Sequence, residues 1–529
     1  MAEKSTLVDA IAAAMKDRGV ARMFGIPGGG SSLDLIDAAD RAGIEFVLTQ
    51  TETAAVIMAA VTGELTGAPG VALAGIGPGA AASVNGMAYA QLEQAPVVLF
   101  TDCKHRPGSL HQAYDQQALF APVSKHTQRL SPEDGVQSID AVFDCASATP
   151  PGAVHIDLSA SDAMAGVEMS GRSVVKSGQA DMGDLSKARA LLAASRRILI
   201  IVGLEARSDS SADALSAFVE GTGAAVMPTY KAKGVYPDVG PSCIGAFTGA
   251  QAEADCADGA DLIVFYGVDP VEFIPGNWRY DAPIIEISIN GTYQQPATPA
   301  ARLIGPLAAS ISALGGTSAD RWPAGELAEL KRDYQARLSQ RPNPRNADVI
   351  VQAMLGAAPA GTRLTVDAGA HMFSAMTIWQ AAAPFGVLKS NGLSTMGFAV
   401  PAAIASAYCA PELPIAAITG DGGLLMTLGE LATAARCGAN MVIVVVNDAA
   451  LSLIDIKQAR QQRLSRGVRY PATDFAAAAR AMGCGGINVG PDDDLDACLV
   501  QAFDTAGPVV VDIQANADGY GDQLAALRG

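Results

Sequence analysis

Ile415-Ala416-Ala417-Ile418-Thr419-Gly420-Asp421-Gly422-Gly423, answered by Met441-Val442-Ile443-Val444-Val445-Val446-Asn447-Asp448, decides the fold. Each half is a short apolar run that stops abruptly at small and acidic residues, the pattern of a buried parallel strand delivering a turn. Between them residues 424–436 read as helix, and Cys437-Gly438-Ala439-Asn440 closes it. The whole is a strand-helix-strand unit. In an open α/β sheet the carboxyl ends of such strands share one edge, and ligands bind there. Asp421 and Asp448 lie 27 positions apart, room for one helix and one strand, so both carboxylates reach that edge. Two hard oxygen donors beside Gly422 and Gly423 suit a Mg²⁺-diphosphate. Acids at strand-to-helix turns also serve as plain caps, and spacing alone leaves both readings open.

The wording of the segment adds a further signal. Gly420-Asp421-Gly422, followed by the pair Asn447-Asp448, resembles the thiamine diphosphate (ThDP) motif of pyruvate decarboxylases and acetohydroxyacid synthases. The family's usual second Asn is Asp448 here, a variant shared with catabolic acetolactate synthases. The resemblance implies that Asp421 and Asp448 hold Mg²⁺ through side chains and Ala450 through its carbonyl. The extra charge should tighten the metal rather than abolish it.

Bulk composition sets the class. The chain has 529 residues, enough for two to four domains, with 50% hydrophobic and 17% charged residues. A net charge of −18 argues against nucleic acid or an anionic membrane as the main partner, though not against a local basic pocket. No signal-peptide core and no membrane-length apolar run is present. The eight cysteines are scattered without metal-ligand spacing, which suits reduced thiols of a cytoplasmic protein.

Three α/β segments follow one another. Helix 7–18 alternates with apolar strands at 46–49, 71–74 and 97–101, which means a parallel sheet with helices on both faces. A second set of strands occupies 197–202, 224–228, 261–267 and 283–289. The charged helix 326–337 and Arg341-Pro342-Asn343-Pro344 read as a linker. A third unit ends with the strand 508–513. The expected domains are 1–165, 185–320 and 345–529, each a doubly wound parallel sheet. In that order pyrimidine-binding, central and diphosphate-binding domains resemble the acetohydroxyacid synthase, pyruvate oxidase and benzaldehyde lyase group of ThDP enzymes, over essentially the whole chain.

Several residues carry the implied chemistry. Glu52 follows a strand and opens an Ala-rich helix, where a glutamate also simply suits the helix dipole. The family match makes it the acid that bonds the aminopyrimidine ring and drives its tautomerisation. Gly75-Ile76-Gly77-Pro78-Gly79 fits a dinucleotide fingerprint poorly, because it holds a Pro and no well-placed acid follows. It resembles the family's turn beside the pyrimidine, which makes Gly77 a cofactor contact. Gln112 is expected on the substrate side of the thiazolium, and His111, in place of an aromatic residue, as an added proton donor.

Asp367-Ala368-Gly369-Ala370-His371 resembles the family's Gly-Gln-His diphosphate contact, with Ala370 in place of Gln and His371 kept as a donor. Gly392-Leu393-Ser394-Thr395-Met396-Gly397 matches an acetohydroxyacid synthase element. There Met396 is the wedge that bends the cofactor, with Ser394 beside it. Gly420, Gly422, Gly423 and Leu451 complete the expected contacts.

Lys457, Arg460, Arg463, Arg466 and Arg469 recur every three residues in an otherwise acidic chain. At helical spacing they share one broad face, which reads as a solvated face or as a cationic lid over an anionic substrate. The resemblance implies a ThDP- and Mg²⁺-dependent transferase or lyase that decarboxylates a 2-oxo acid and ligates the product, as acetolactate synthases do. A 2-oxo acid decarboxylase, a C–C lyase of the benzaldehyde lyase or 2-hydroxyacyl-CoA lyase type, and a catalytically silent paralogue are the alternatives. FAD is admitted but not favoured, because Glu286-Ile287-Ser288-Ile289-Asn290 stands where the family shows an acidic run. The expected assembly is a homodimer, or a dimer of dimers (homotetramer), with active sites between chains.

Overall fold

The computed structural model describes residues 5–104, 111–167, 182–316, 322–339 and 343–528. Three parallel sheets, flanked by helices, carry these residues, as the alternation of apolar strands and helices requires. The first sheet has six strands, in the spatial order Glu45–Leu48, Arg22–Gly25, Gly70–Ala74, Val97–Cys103, Ala153–Ser159 and His126–Arg129. The third also has six, in the order Val387–Lys389, Arg363–Val366, Ile415–Gly420, Met441–Asn447, Pro508–Gln514 and Gly485–Val489. Numbered along the chain, both sheets read 2-1-3-4-6-5, so the theme they share in sequence is one topology used twice.

The central sheet has five strands in the order Ala225–Pro228, Ile198–Val202, Leu262–Tyr266, Ile284–Ser288 and Ala301–Ile304. That is 2-1-3-4-5, with every pair parallel. Ile198–Val202 and Leu262–Tyr266 are buried along their whole length, which is why both are continuously apolar. A two-stranded antiparallel pair, Ser5–Thr6 with Gly166–Val167, lies outside these sheets. Among the described residues no helix is long and apolar enough to cross a membrane.

The chain forms two compact units. One comprises Met1–Ser177 with Val400–Glu412 and Thr427–Ala439; the other comprises Gly178–Ala399, Leu413–Met426 and Asn440–Gly529. This division explains one departure from the sequence reading. The single helix expected over 424–436 is two, Asp421–Thr427 and Glu430–Arg436, interrupted at Leu428-Gly429. The break lets the second helix join the first unit, where Glu430 is fully buried.

A second departure concerns the expected linker. Glu326–Leu338 is a helix of the second unit with Tyr334 and Leu338 buried. The Tyr334 hydroxyl donates to the Ala246 carbonyl at 2.9 Å and accepts from its amide at 3.1 Å. A Cβ on Gly245 would lie 2.1 Å from the Tyr334 ring, so only glycine admits it. Residues 341 and 342 of that stretch lie outside the described residues.

Candidate active site

In the second unit, the third sheet reverses its strand order between Arg363–Val366 and Ile415–Gly420, the position where open α/β sheets bind ligands. Asp367 follows the first of these strands and Asp421 the second. The Asp367 carboxylate is buried and accepts from the Thr419 hydroxyl at 2.8 Å. It also accepts from the amides of Ala368 at 2.8 Å, Gly397 at 3.1 Å and Phe398 at 3.3 Å. One carboxylate therefore ties together the loops that bear His371, Met396 and Asp421. Burial pushes its pKa up to about 6, against the pull of those donors. A Cβ on Gly423 would lie 2.4 Å from Asp367 Oδ2, so close approach demands glycine there. Sequence reasoning passed over Asp367; its only signal was an acid at the carboxyl end of a strand.

Asp421 opens the next helix. Its Oδ1 accepts the Gly422 amide at 2.7 Å, while Oδ2 is buried without a partner. The Tyr470 hydroxyl is also buried, and lies close enough to Asp421 for the carboxylate's charge to add to burial in raising its pKa. Asp448 accepts from the Ser452 hydroxyl at 2.7 Å. Burial first, and then the charge of Asp421, push its pKa up to about 6. Two carboxylates raised by burial, Asp448 further by its neighbour's charge and Asp421 with an unpaired buried oxygen, fit a hard cation. Among the described residues no group of three or more His, Cys, Asp or Glu could hold a metal alone. The pair thus suits an ion that draws further ligands from carbonyls, water and phosphate, as Mg²⁺ does.

The loop after Asp448 is braced from outside. Ala449 takes a left-handed φ of 54°, costly for a residue with a Cβ, and Ala450 bridges Arg469. The Leu451 amide donates to the Val468 carbonyl at 2.7 Å. A cavity of about 300 Å³ opens among these loops. Ala370, His371, Ser394 and Met396 line it, together with residues 420–423, Asp448, Ala450 and Leu451. Leu451 and Met396 press on the Gly422 side: a Cβ there would lie 2.7 Å from Leu451 Cδ2 and 3.5 Å from Met396 Cε. His371 is buried with Nε2 unpaired, and burial lowers its pKa to about 4. The ring is therefore neutral, with an N–H to give.

The first unit brings together Glu52, Gly77 and Gln112. Glu52 is the first residue of helix Glu52–Thr66, whose N-cap Thr51 accepts from the Ala54 amide at 3.2 Å. Glu52 Oε1 lies 3.1 Å from where a Cβ on Gly79 would stand. Gly77 takes a φ of 70°, and its amide donates to Gln116 Oε1 at 3.0 Å. Its carbonyl accepts from the Tyr114 hydroxyl at 2.7 Å. A Cβ on Gly77 would sit 2.8 Å from the Gln112 carbonyl. His111 and Gln112 are both exposed, and the His111 carbonyl accepts from Lys104 at 2.7 Å.

Sequence reasoning also missed Glu430. Its carboxylate accepts from the amides of Gln50 at 3.1 Å and Thr51 at 3.0 Å, and from the Thr433 hydroxyl at 2.8 Å. It thereby fixes the turn that leads into Glu52. A partner about 380 positions away leaves no local signal.

The basic series does not form one face. Its helix, Ser452–Arg460, ends before Gln462, which takes a left-handed φ of 55°, so helical spacing stops applying there. Arg460 donates to the Gly521 carbonyl at 2.7 Å, and Arg469 pairs with Asp455 at 2.5 Å. Arg463 and Arg466 are exposed, and neither lines the cavity. Lys457 does.

Within the second unit, the glycine-bearing turn at 420–423 and the carboxylates of Asp421 and Asp448 line one cavity beside the switch point. Three family models match in chain order: the N-terminal thiamine pyrophosphate (TPP) binding domain of thiamine pyrophosphate enzymes at 5–122, their central domain at 185–314, and their C-terminal TPP binding domain at 367–513. The chain belongs to the thiamine pyrophosphate enzyme family. It is 29% identical to the catabolic acetolactate synthase of Raoultella terrigena, over 96% of this chain and 94% of that protein. It is 27% identical to acetolactate synthase of Bacillus subtilis, over 96% of this chain and 92% of the relative. A probable 2-ketoarginine decarboxylase of Pseudomonas aeruginosa is 26% identical, over 96% of this chain and 94% of that protein.

Proposed function

We propose that this enzyme decarboxylates a 2-oxo acid and joins the remaining acyl carbon to a second carbonyl compound, as an acetolactate synthase does. The observation that carries the reading is the paired Asp421 and Asp448 at the switch-point cavity, within a chain whose full length resembles acetolactate synthases. ThDP, when bound, supplies the carbon centre that takes up the electron pair released as CO₂ leaves. In this assignment Asp421, Asp448 and the Ala450 carbonyl hold Mg²⁺. His371 gives its N–H to the diphosphate, and Met396 and Leu451 bound the thiazolium side. Glu52 holds a proton against the aminopyrimidine ring nitrogen and takes it back, with Glu430 and Thr51 keeping it in place. Gln112 and His111 face the substrate.

We assign the assembly as a homodimer, or a dimer of such dimers, in the cytoplasm. Each site would take Glu52 from one chain and Asp421 with Asp448 from the other. All eight cysteines are free thiols, which agrees with a reducing compartment.

We do not favour FAD in the central sheet. Its switch point lies between Ile198–Val202 and Leu262–Tyr266, where a dinucleotide would meet free amides. The Leu204 amide there is already taken by Glu272 at 2.9 Å, and Glu205 accepts from the Ile289 amide at 2.9 Å. The experiment that tests the function is a screen of 2-oxo acids for CO₂ release, with and without a carbonyl acceptor and with product analysis. Acetolactate from pyruvate supports carboligation, acetaldehyde alone supports the decarboxylase alternative, and no CO₂ from any 2-oxo acid overturns both.

A further inference from the structure

Among the described residues Lys457 is the only cationic side chain that lines the ThDP cavity; Asp421, Asp448, the neutral His371 and the buried Tyr520 phenol are the other ionisable groups there. It is exposed and has no hydrogen-bond or ion-pair partner among the described residues. The other members of the basic series are bonded elsewhere or turned away from the cavity, as described above. On its helix Lys457 follows Leu453 and Ile454 at spacings of four and three, so the three share a face that also lines the cavity. Its backbone lies five residues beyond Ser452, the residue that adjoins the acid pair, about 7.5 Å along the helix axis.

An unpaired ammonium over an apolar face is a receptor for a carboxylate borne on a short carbon chain. Which carboxylate follows from the chemistry. In the net reaction two molecules of pyruvate and one proton give one acetolactate and one CO₂. The C1–C2 bond of the donor breaks, a bond forms between donor C2 and acceptor C2, and the proton goes to the acceptor's carbonyl oxygen. A cation held against the donor carboxylate would stabilise the ground state of the group that must leave uncharged, and would slow the reaction. The acceptor keeps its carboxylate throughout, so a cation can hold it at no such cost.

We propose that Lys457 is a specificity-determining residue that binds the retained carboxylate of a 2-oxo acid acceptor, and so favours ligation between two 2-oxo acids over release of a free aldehyde. This rests on the carboligation reading above.

The test compares wild type, Lys457→Gln, Lys457→Arg and the Arg460→Gln/Arg463→Gln double variant. Pyruvate serves first as sole substrate and then with benzaldehyde as a neutral acceptor, and calorimetry gives the ThDP affinity of each protein. Loss of one charge-assisted contact should lower the ratio of acetolactate to acetaldehyde by roughly tenfold or more in Lys457→Gln. Ligation to benzaldehyde and ThDP affinity should stay within about twofold, because uniform binding of one partner is all that is lost. Lys457→Arg should recover most of the ratio, and the double arginine variant should match wild type. An unchanged ratio in Lys457→Gln overturns the proposal, as does weakened ThDP binding, which would give the ammonium to the diphosphate. A wild-type enzyme that releases CO₂ but forms no ligated product overturns it too. Wild type that acts on no 2-oxo acid at all fails the functional reading itself, a distinct result.

Discussion

Asp367 and Thr419 meet at 2.8 Å, carboxylate to hydroxyl, at the ends of adjacent strands, and that contact anchors the diphosphate cavity. The two residues sit where the third sheet reverses its order, beside the turn that delivers Asp421. Every loop of the cavity save the one after Asp448 is tied to this carboxylate.

Asp367→Ala should leave the Gly397 and Phe398 amides buried without their acceptor, while the Thr419 hydroxyl keeps the Gly420 carbonyl. Each such orphan costs on the order of 1–3 kcal/mol, so the loss should be several kcal/mol, with ThDP no longer retained. Denaturant unfolding of the apo-protein, read beside ThDP titration, checks both parts.

Glu52→Gln should bind ThDP yet lose roughly a hundredfold or more in turnover, since an amide cannot give and take a proton. Mixing it with an Asp421→Ala variant under subunit exchange should restore part of the activity, because some dimers then hold one intact site. Absence of recovery despite verified exchange would place both residues in one chain's site.

The acidic central switch point sets a pH dependence. Burial holds Glu272 protonated up to about 8, whereas its ordinary value is 4.5. Between these values the unfolded chain gives up a proton that the folded chain keeps, so stability from this group is full below 4.5 and declines as pH rises, reaching its floor above about 8. Glu272→Gln should therefore melt close to wild type at pH 5 and above it at pH 9. Melting curves of the apo-protein across that range would show it; parallel curves for the two proteins would contradict it.

Arg460→Gln with Arg463→Gln should leave KM for pyruvate within about twofold, because neither guanidinium lines the cavity. Steady-state kinetics at low ionic strength is the sensitive check. A large rise in KM would return these residues to a lid.

Much of the fold is legible in the sequence because its strands are buried on both faces. Runs such as 441–446 and Ile198–Val202 have to be apolar throughout, and their ends fall where glycine or a polar or acidic residue appears. Glu326–Leu338 misled because its charges dominate, although Tyr334 anchors it through a hydroxyl and a glycine 89 positions earlier, with Leu338 buried beside it. The basic series misled for a different reason: helical spacing carries meaning only while the helix lasts, and this one ends at Arg460. Asp421 and Asp448 could be paired from sequence because one strand-helix-strand unit delivers both. Asp367 and Glu430 could not, since their roles consist of contacts with distant loops.

Calorimetric titration of ThDP into the apo-protein, with and without Mg²⁺, tests the central claim most directly. Wild type should bind ThDP only when Mg²⁺ is present, and Asp421→Ala and Asp448→Ala should stay folded yet fail to bind it, because a hard cation cannot recover a lost carboxylate from neutral neighbours. Unchanged ThDP affinity in either variant would contradict the assignment of this site.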